Sequence, residues 1–202
     1  MWVRSTEHVP VGGVSPSESQ RGFQVRRRRG NEYALALWGP LESGWADPLC
    51  RGLSRAGLSI RRGYARQLGP GPPAVWDARF DLERAAPSTD PMMLDYLELV
   101  ARGRARSERP IELSEAVVVE SAQHGGCLRI DLRGRDHAGF LGGVLERLSF
   151  LGLAPVEMRI ETTEDGVDDR FFVKMRTGER PDPRMRKLLT PVLDGRLLRS
   201  RG

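Results

Sequence analysis

Cysteine, lysine, histidine and long apolar runs are all scarce in this 202-residue chain. Its two cysteines, Cys50 and Cys127, cannot build a disulfide framework or a four-cysteine zinc site. The three histidines, His8, His124 and His137, are scattered, and no HxxxH pair or carboxylate cluster has metal-ligand spacing. No metal and no cofactor is therefore expected. No Ser or Cys has a local partner that would make it a nucleophile, so the chain reads as non-enzymatic. Nothing approaches the ~18 consecutive apolar residues of a membrane helix. The first residues lack the apolar core of a secretory signal. A cytoplasmic protein with no membrane partner is expected.

With only Lys174 and Lys187 as lysines, the formal charge of +5 is carried by arginine. Six arginines and three glutamates fall in residues 1–32, which leaves about +2 for the remainder of the chain. A nucleic-acid partner is not expected from so small an excess. Residues 1–32 are rich in Gly, Ser, Pro and Arg without periodicity, and the run Arg26 to Arg29 repels itself. The segment reads as a disordered basic tail.

From Tyr33 onward the chain repeats itself. Gly39, Gly44, Leu53, Ser54, Gly57 and Leu58 recur 95 positions later as Gly134, Gly139, Leu148, Ser149, Gly152 and Leu153. Asp90, Pro91, Leu97 and Val100 then recur 92 positions later as Asp182, Pro183, Leu189 and Val192. Two copies of one unit are implied, covering 33–122 and 123–202. In the second copy Leu128, Ile130 and Leu132 alternate with polar residues, the period of a half-buried strand. Leu141, Val144, Leu145 and Leu148 follow at helical spacing, and Gly152 suits a left-handed helix end. Val156, Met158 and Ile160 mark a second strand, a TEDG turn (163–166) follows, and Phe171, Val173 and Met175 mark a third. The acids near that turn, Glu161, Glu164, Asp165, Asp168 and Asp169, read as a solvated tip. Asp182-Pro183 opens a last helix with Met185, Leu188, Leu189 and Val192 inward. The first copy matches it with Asp90-Pro91, then Met93, Tyr96, Leu97 and Val100. Fourth strands are expected at 116–120 and 196–200. The order is βαββαβ, so the fold class is α+β: two ferredoxin-like units packed as a pseudo-symmetric pair.

The turn from first strand to first helix carries the candidate chemistry: GPLESG (39–44) and GRDHAG (134–139). A phosphate-binding P-loop is excluded, because Trp45 and Phe140 stand where its lysine must be. A helix N-terminus can hold a carboxylate, and Asp136 could meet an ammonium group. Spacing alone equally allows two tight turns in which Asp136 only caps the helix.

At these residues the chain resembles the ACT domain family, small ferredoxin-like regulatory domains of amino-acid and nitrogen metabolism. The second copy, GRDHAGFLGGVLERLSFLGLAP, follows the family's first-turn pattern closely, and the first copy is more divergent. The likeness is to the tandem ACT repeats of bacterial uridylyltransferase/uridylyl-removing enzymes and of glycine-cleavage repressor-like proteins. It implies an allosteric regulatory module that binds a small amino acid at the interface between paired domains. Carried over by position, the ligand-binding residues are Arg135, Asp136, His137, Ala138, Gly139 and Phe140, with Glu42, Ser43 and Gly44 in the first copy. A homodimer, or a partner protein, would transmit the signal. The alternatives are an assembly module without ligand and, less favoured, an RNA-binding ferredoxin-like domain. For the latter, Phe172 is the one outward aromatic on the third strand, too little for base stacking.

Overall fold

Alternation of apolar and charged residues dictates what the backbone does here. In the computed structural model, which describes residues 20–69, 74–85, 89–102 and 111–193, every alternating segment is a strand. The elements are β1 (Gly22–Arg27), β2 (Glu32–Leu41), α1 (Ala46–Arg55), β3 (Leu58–Gln67), β4 (Ala74–Arg84), α2 (Tyr96–Arg102), β5 (Leu113–Ser121), β6 (Cys127–Gly134), α3 (Phe140–Phe150), β7 (Leu153–Thr163), β8 (Gly166–Met175) and α4 (Pro183–Leu193). The fold is α+β: one 8-stranded antiparallel sheet, in the order β1-β2-β4-β3-β7-β8-β6-β5, with the helices packed against it.

One parity of each strand is buried. Leu35 and Leu37 of β2, Phe80 and Leu82 of β4, Ile130 and Leu132 of β6, and Phe171 and Val173 of β8 join Leu49, Leu53, Val144 and Leu148 of the helices in one core. The opposite parity is charged and bridges strands: Arg62 meets Glu161 at 3.0 Å, and Arg133 meets both Glu115 and Asp168 at 3.3 Å. Such exposed pairs add little stability, typically ~0.2–1 kcal/mol each. The core, not the ion pairs, holds the sheet to the helices. Among the described residues no helix is long and apolar enough to cross a membrane.

The strand connections correct three expectations. First, residues 22–27 of the expected tail form β1: Phe23 and Val25 are partly buried against the core, and the Phe23 ring lies 5.4 Å from that of Tyr96. The arginine run is accommodated at the sheet's edge, where Arg28 pairs with Asp81 at 2.9 Å. Charge at an edge strand also blocks pairing with other chains. Residues 1–19 lie outside the described residues, as does the strand expected at 196–200.

Second, the strand expected at 116–120 exists as β5 but belongs to the second copy. It pairs with β6 through the short turn at Ala122–Gly126. Each half therefore runs ββαββα, with its outermost strand first. Val25 opposes Leu35 in one half as Val118 opposes Ile130 in the other. Among the described residues the repeated elements run from β1 to α2 and from β5 to α4.

Third, Asp90 caps only a 3-10 turn (Pro91–Met93), accepting from the Met92 N–H at 3.0 Å. The helix begins later, where Asp95 accepts from Leu97 and Glu98, and Met93 is exposed rather than core.

The halves join through β3 and β7, whose central pair is Tyr64 and Arg159. These two residues are 95 positions apart, so they are each other's counterparts and an approximate two-fold axis passes between them. Both strands carry a register shift at the matching place, Ile60/Arg62 and Pro155/Glu157. Across the same axis α1 and α3 pack closely: a Cβ on Gly142 would sit 3.4 Å from Arg51 Cγ.

Candidate functional site

The turn after β6 is shaped by close backbone approach. A Cβ on Gly134 would lie 2.4 Å from the Glu112 carbonyl oxygen, and the Arg135 N–H donates to that oxygen at 3.1 Å. Gly139, at φ 91°, then turns the chain into α3 in a region that L side chains avoid. The Phe140 N–H donates to the His137 carbonyl at 3.0 Å, and no side chain caps the helix. Its first turn so presents the partial positive charge of unpaired N–H groups.

That turn is partly exposed, at Asp136 and Ala138, and partly turned toward the first half. Asp136 to Phe140 form one wall of a cavity of about 50 Å³ between the halves. The first half supplies the facing wall from the end of α1 and the start of β3: Cys50, Leu53, Ser54, Ser59 and Ile60. Ile160, Thr162, Val167 and Asp169 close the floor. Two contacts fasten the seam beside it. Arg61 Nη1 lies 3.8 Å from Asp136 Oδ2, and Thr162 Oγ1 donates to the Ile60 carbonyl at 3.3 Å.

Asp169 is fully buried, which corrects the reading of it as part of a solvated tip. Its neighbours Glu164, Asp165 and Asp168 are exposed as expected. Oδ1 accepts from the Glu161 N–H at 3.1 Å, while Oδ2 has no partner. Burial pushes its carboxyl up to about 7; the Glu161 N–H opposes the rise, and the charges of Asp136 and Asp168 add to it. A second unpartnered atom lies on the same cavity. His137 Nδ1 is 3.2 Å from the Ala138 carbonyl, and its buried Nε2 has no partner. The Cys50 thiol is driven far up by burial, by Asp47 and by Asp169 itself, so it stays protonated. The cavity thus offers an acid, an imidazole and a helix N-terminus, with no lysine or arginine in its walls. It suits a small molecule bearing a cationic donor at one end and an anion at the other.

Of the predicted residues, Asp136, His137, Ala138, Gly139 and Phe140 come together on this cavity. Arg135 does not; its side chain is 80% exposed beside Glu112. Glu42 and Ser43 are exposed on the other turn, and neither they nor Gly44 line the cavity. The place matching the cavity in the first half is built differently. Trp45, the counterpart of Phe140, is buried edge-on to Trp76 with ring centroids 5.4 Å apart. Trp76 takes the register position of Val167, and Ala78 that of Asp169. Indoles pack where the second half keeps space and a carboxylate. Sequence reasoning missed Asp169, Ser54, Ser59 and Thr162. The signal for Asp169 was its parity, since it shares the inward face of β8 with Val167, Phe171 and Val173.

Among the described residues no group of three or more His, Cys, Asp or Glu side chains is placed to hold a metal ion. No protein-family model, curated protein or solved structure matches the chain.

Proposed function

We propose that this chain is a non-enzymatic regulatory module of the ACT kind, which binds a small amino acid at the seam between its halves and signals through a homodimer or a partner protein. Each half is read as a ferredoxin-like unit whose fourth strand has moved to its beginning. The sheet order supports that reading, because the strand before α1 lies between the outermost strand and the strand before α2 in both halves. The observation that carries the functional reading is the cavity itself. The turn bearing GRDHAG closes against the other half, and the cavity's lining residues Asp169 and His137 each hold a buried atom, Oδ2 and Nε2, without a partner. Buried polar atoms without partners are costly, about 1–3 kcal/mol each, and a ligand that satisfies them recovers that cost.

A thermal-shift screen of the full chain against the twenty amino acids tests the proposal. A rise in Tm with one or a few small amino acids, confirmed by calorimetry, is expected. No heat with any of them at millimolar concentration would leave the ligand-free assembly reading, which the indole-packed first turn favours. The RNA reading is disfavoured because Phe172 is buried, with its ring 5.5 Å from that of His124.

A further inference from the structure

We infer that Asp169, together with His137 Nε2, accepts the ammonium group of a small α-amino acid, and that this pair requires N–H donors there and so excludes quaternary amines. The inference rests on the amino-acid reading above and moves the cationic end of the ligand inward. Asp136, the ammonium partner expected from its motif, lies at the cavity's rim, part-exposed and facing Arg61. Asp169 lies at the floor with one oxygen unsatisfied.

The donor and acceptor count points the same way. His137 Nδ1 can bond the Ala138 carbonyl only if Nδ1 carries the proton. The neutral ring then leaves Nε2 with a lone pair. Asp169 and His137 therefore line one cavity, and each carries a buried acceptor, Oδ2 and Nε2, without a donor. A primary ammonium brings three N–H donors, whereas a quaternary amine brings none. The opposite orientation would set a ligand carboxylate against Asp169 on the floor, which repels it wherever Asp169 is ionised. With the ammonium inward, the carboxylate is left beside the uncapped start of α3, where an anion is favoured.

Size narrows the ligand further. A water occupies about 10–15 Å³ of a cavity. The cavity's 50 Å³ then holds a few waters, or about the head group of an amino acid. Ile60, Leu141, Ile160 and Val167 wall in the remainder. Glycine and alanine suit so small a space better than branched side chains.

The arrangement couples binding to protons. Empty, the Asp169 carboxyl titrates near neutrality; beside an ammonium it must be ionised. The charged or titratable groups that face it are Cys50 from α1, Asp136 and His137 from the turn, and Asp168 from its own strand, with Arg61 of β3 beyond Asp136. Glu161 of β7 meets it only through a backbone N–H.

The test is calorimetry on the full chain with glycine, alanine, valine, N-methylglycine and trimethylglycine. Glycine or alanine should bind, and N-methylglycine, which keeps two N–H donors for the two acceptors, should bind too; trimethylglycine, with none, should be at least about tenfold weaker, as expected from losing a charge-assisted hydrogen bond, and valine should be weaker for want of space. Glycine affinity should rise by up to about tenfold per unit from about pH 5 to pH 7, with proton release seen by varying buffer ionisation heat. Asp169→Asn should weaken glycine by roughly ten- to hundredfold and abolish the proton release. If the wild type binds an amino acid but its affinity is flat with pH, or trimethylglycine binds as well as glycine, the role of Asp169 is overturned and the amino-acid reading survives. The same holds if Asp169→Asn, folded by its melting curve, binds as tightly as wild type. If no amino acid binds the wild type, both readings fall together.

Discussion

Replacing Asp169 with asparagine should make stability respond to pH in a different way, with or without any ligand. The folded chain holds this carboxyl at about 7 rather than 3.8, because burial disfavours its charge. A raised acid contributes fully to stability below its unfolded value, and the contribution is lost as pH rises through the folded one. The whole shift corresponds to roughly 4 kcal/mol at 1.36 kcal/mol per unit. About 3 kcal/mol of it falls between about pH 5 and pH 8. Asparagine keeps the acceptor for the Glu161 N–H, but its amide leaves two donors unpaired where the protonated acid leaves one. In acid the variant should therefore be no more stable than wild type. Relative to wild type it should gain roughly 3 kcal/mol between about pH 5 and pH 8. Urea titrations followed by the fluorescence of the buried Trp45 and Trp76 measure both proteins at both pH values. Other carboxylates titrate alike in the two proteins and cancel. Parallel profiles, with a gap constant to about 0.5 kcal/mol, would mean that Asp169 is hydrated or partnered, and the reasoning would fail.

Three further outcomes are expected. Asp136→Ala should weaken glycine by about two- to fivefold, the worth of one part-exposed charge, and Glu42→Ala should leave it unchanged; a loss confined to Glu42→Ala would place the ligand in the first half instead. A chain beginning at Tyr33 should lose several degrees of Tm and associate, because it lacks β1, bares the edge of β2 and strips Phe23 from Tyr96; unchanged melting and mass by light scattering would show that β1 contributes nothing. Neither Cys50 nor Cys127 should react with a thiol reagent in the native state near neutral pH, since burial raises both thiols; full labelling without denaturant would contradict their placement.

Strand and helix existence was legible because it depends on local periodicity. Leu128, Ile130 and Leu132 can be buried together only in an extended chain, and Gly57 and Gly152 do adopt the left-handed geometry at helix ends, with φ of 73° and 71°. Pairing was less legible because a pattern such as AVVVE suits the edge of β2 and of β6 equally. The deciding signal was the short turn before β6, where His124, Gly125 and Gly126 all have positive φ and reverse the chain into an adjacent strand. β1 was hidden by its composition: two apolar residues beside four arginines look disordered until the sheet supplies a partner. Half the candidate site was visible as a motif. The rest, Ser54, Ser59, Thr162 and Asp169, comes from strands and a helix that only the packing of the halves brings to one place.

The axis between Tyr64 and Arg159 has an evolutionary consequence. In a homodimer built on this seam, every substitution would appear twice, and both clefts would have to keep the same residues. Joining the copies in one chain lifts that constraint. One cleft is free to trade its cavity for Trp45 and Trp76, becoming a rivet, while the other retains Asp169 and its hollow. Gene fusion thus permits a division of labour between clefts that symmetry would forbid. A regulator of this design would saturate at one ligand per chain, where a symmetric homodimer would take two per pair.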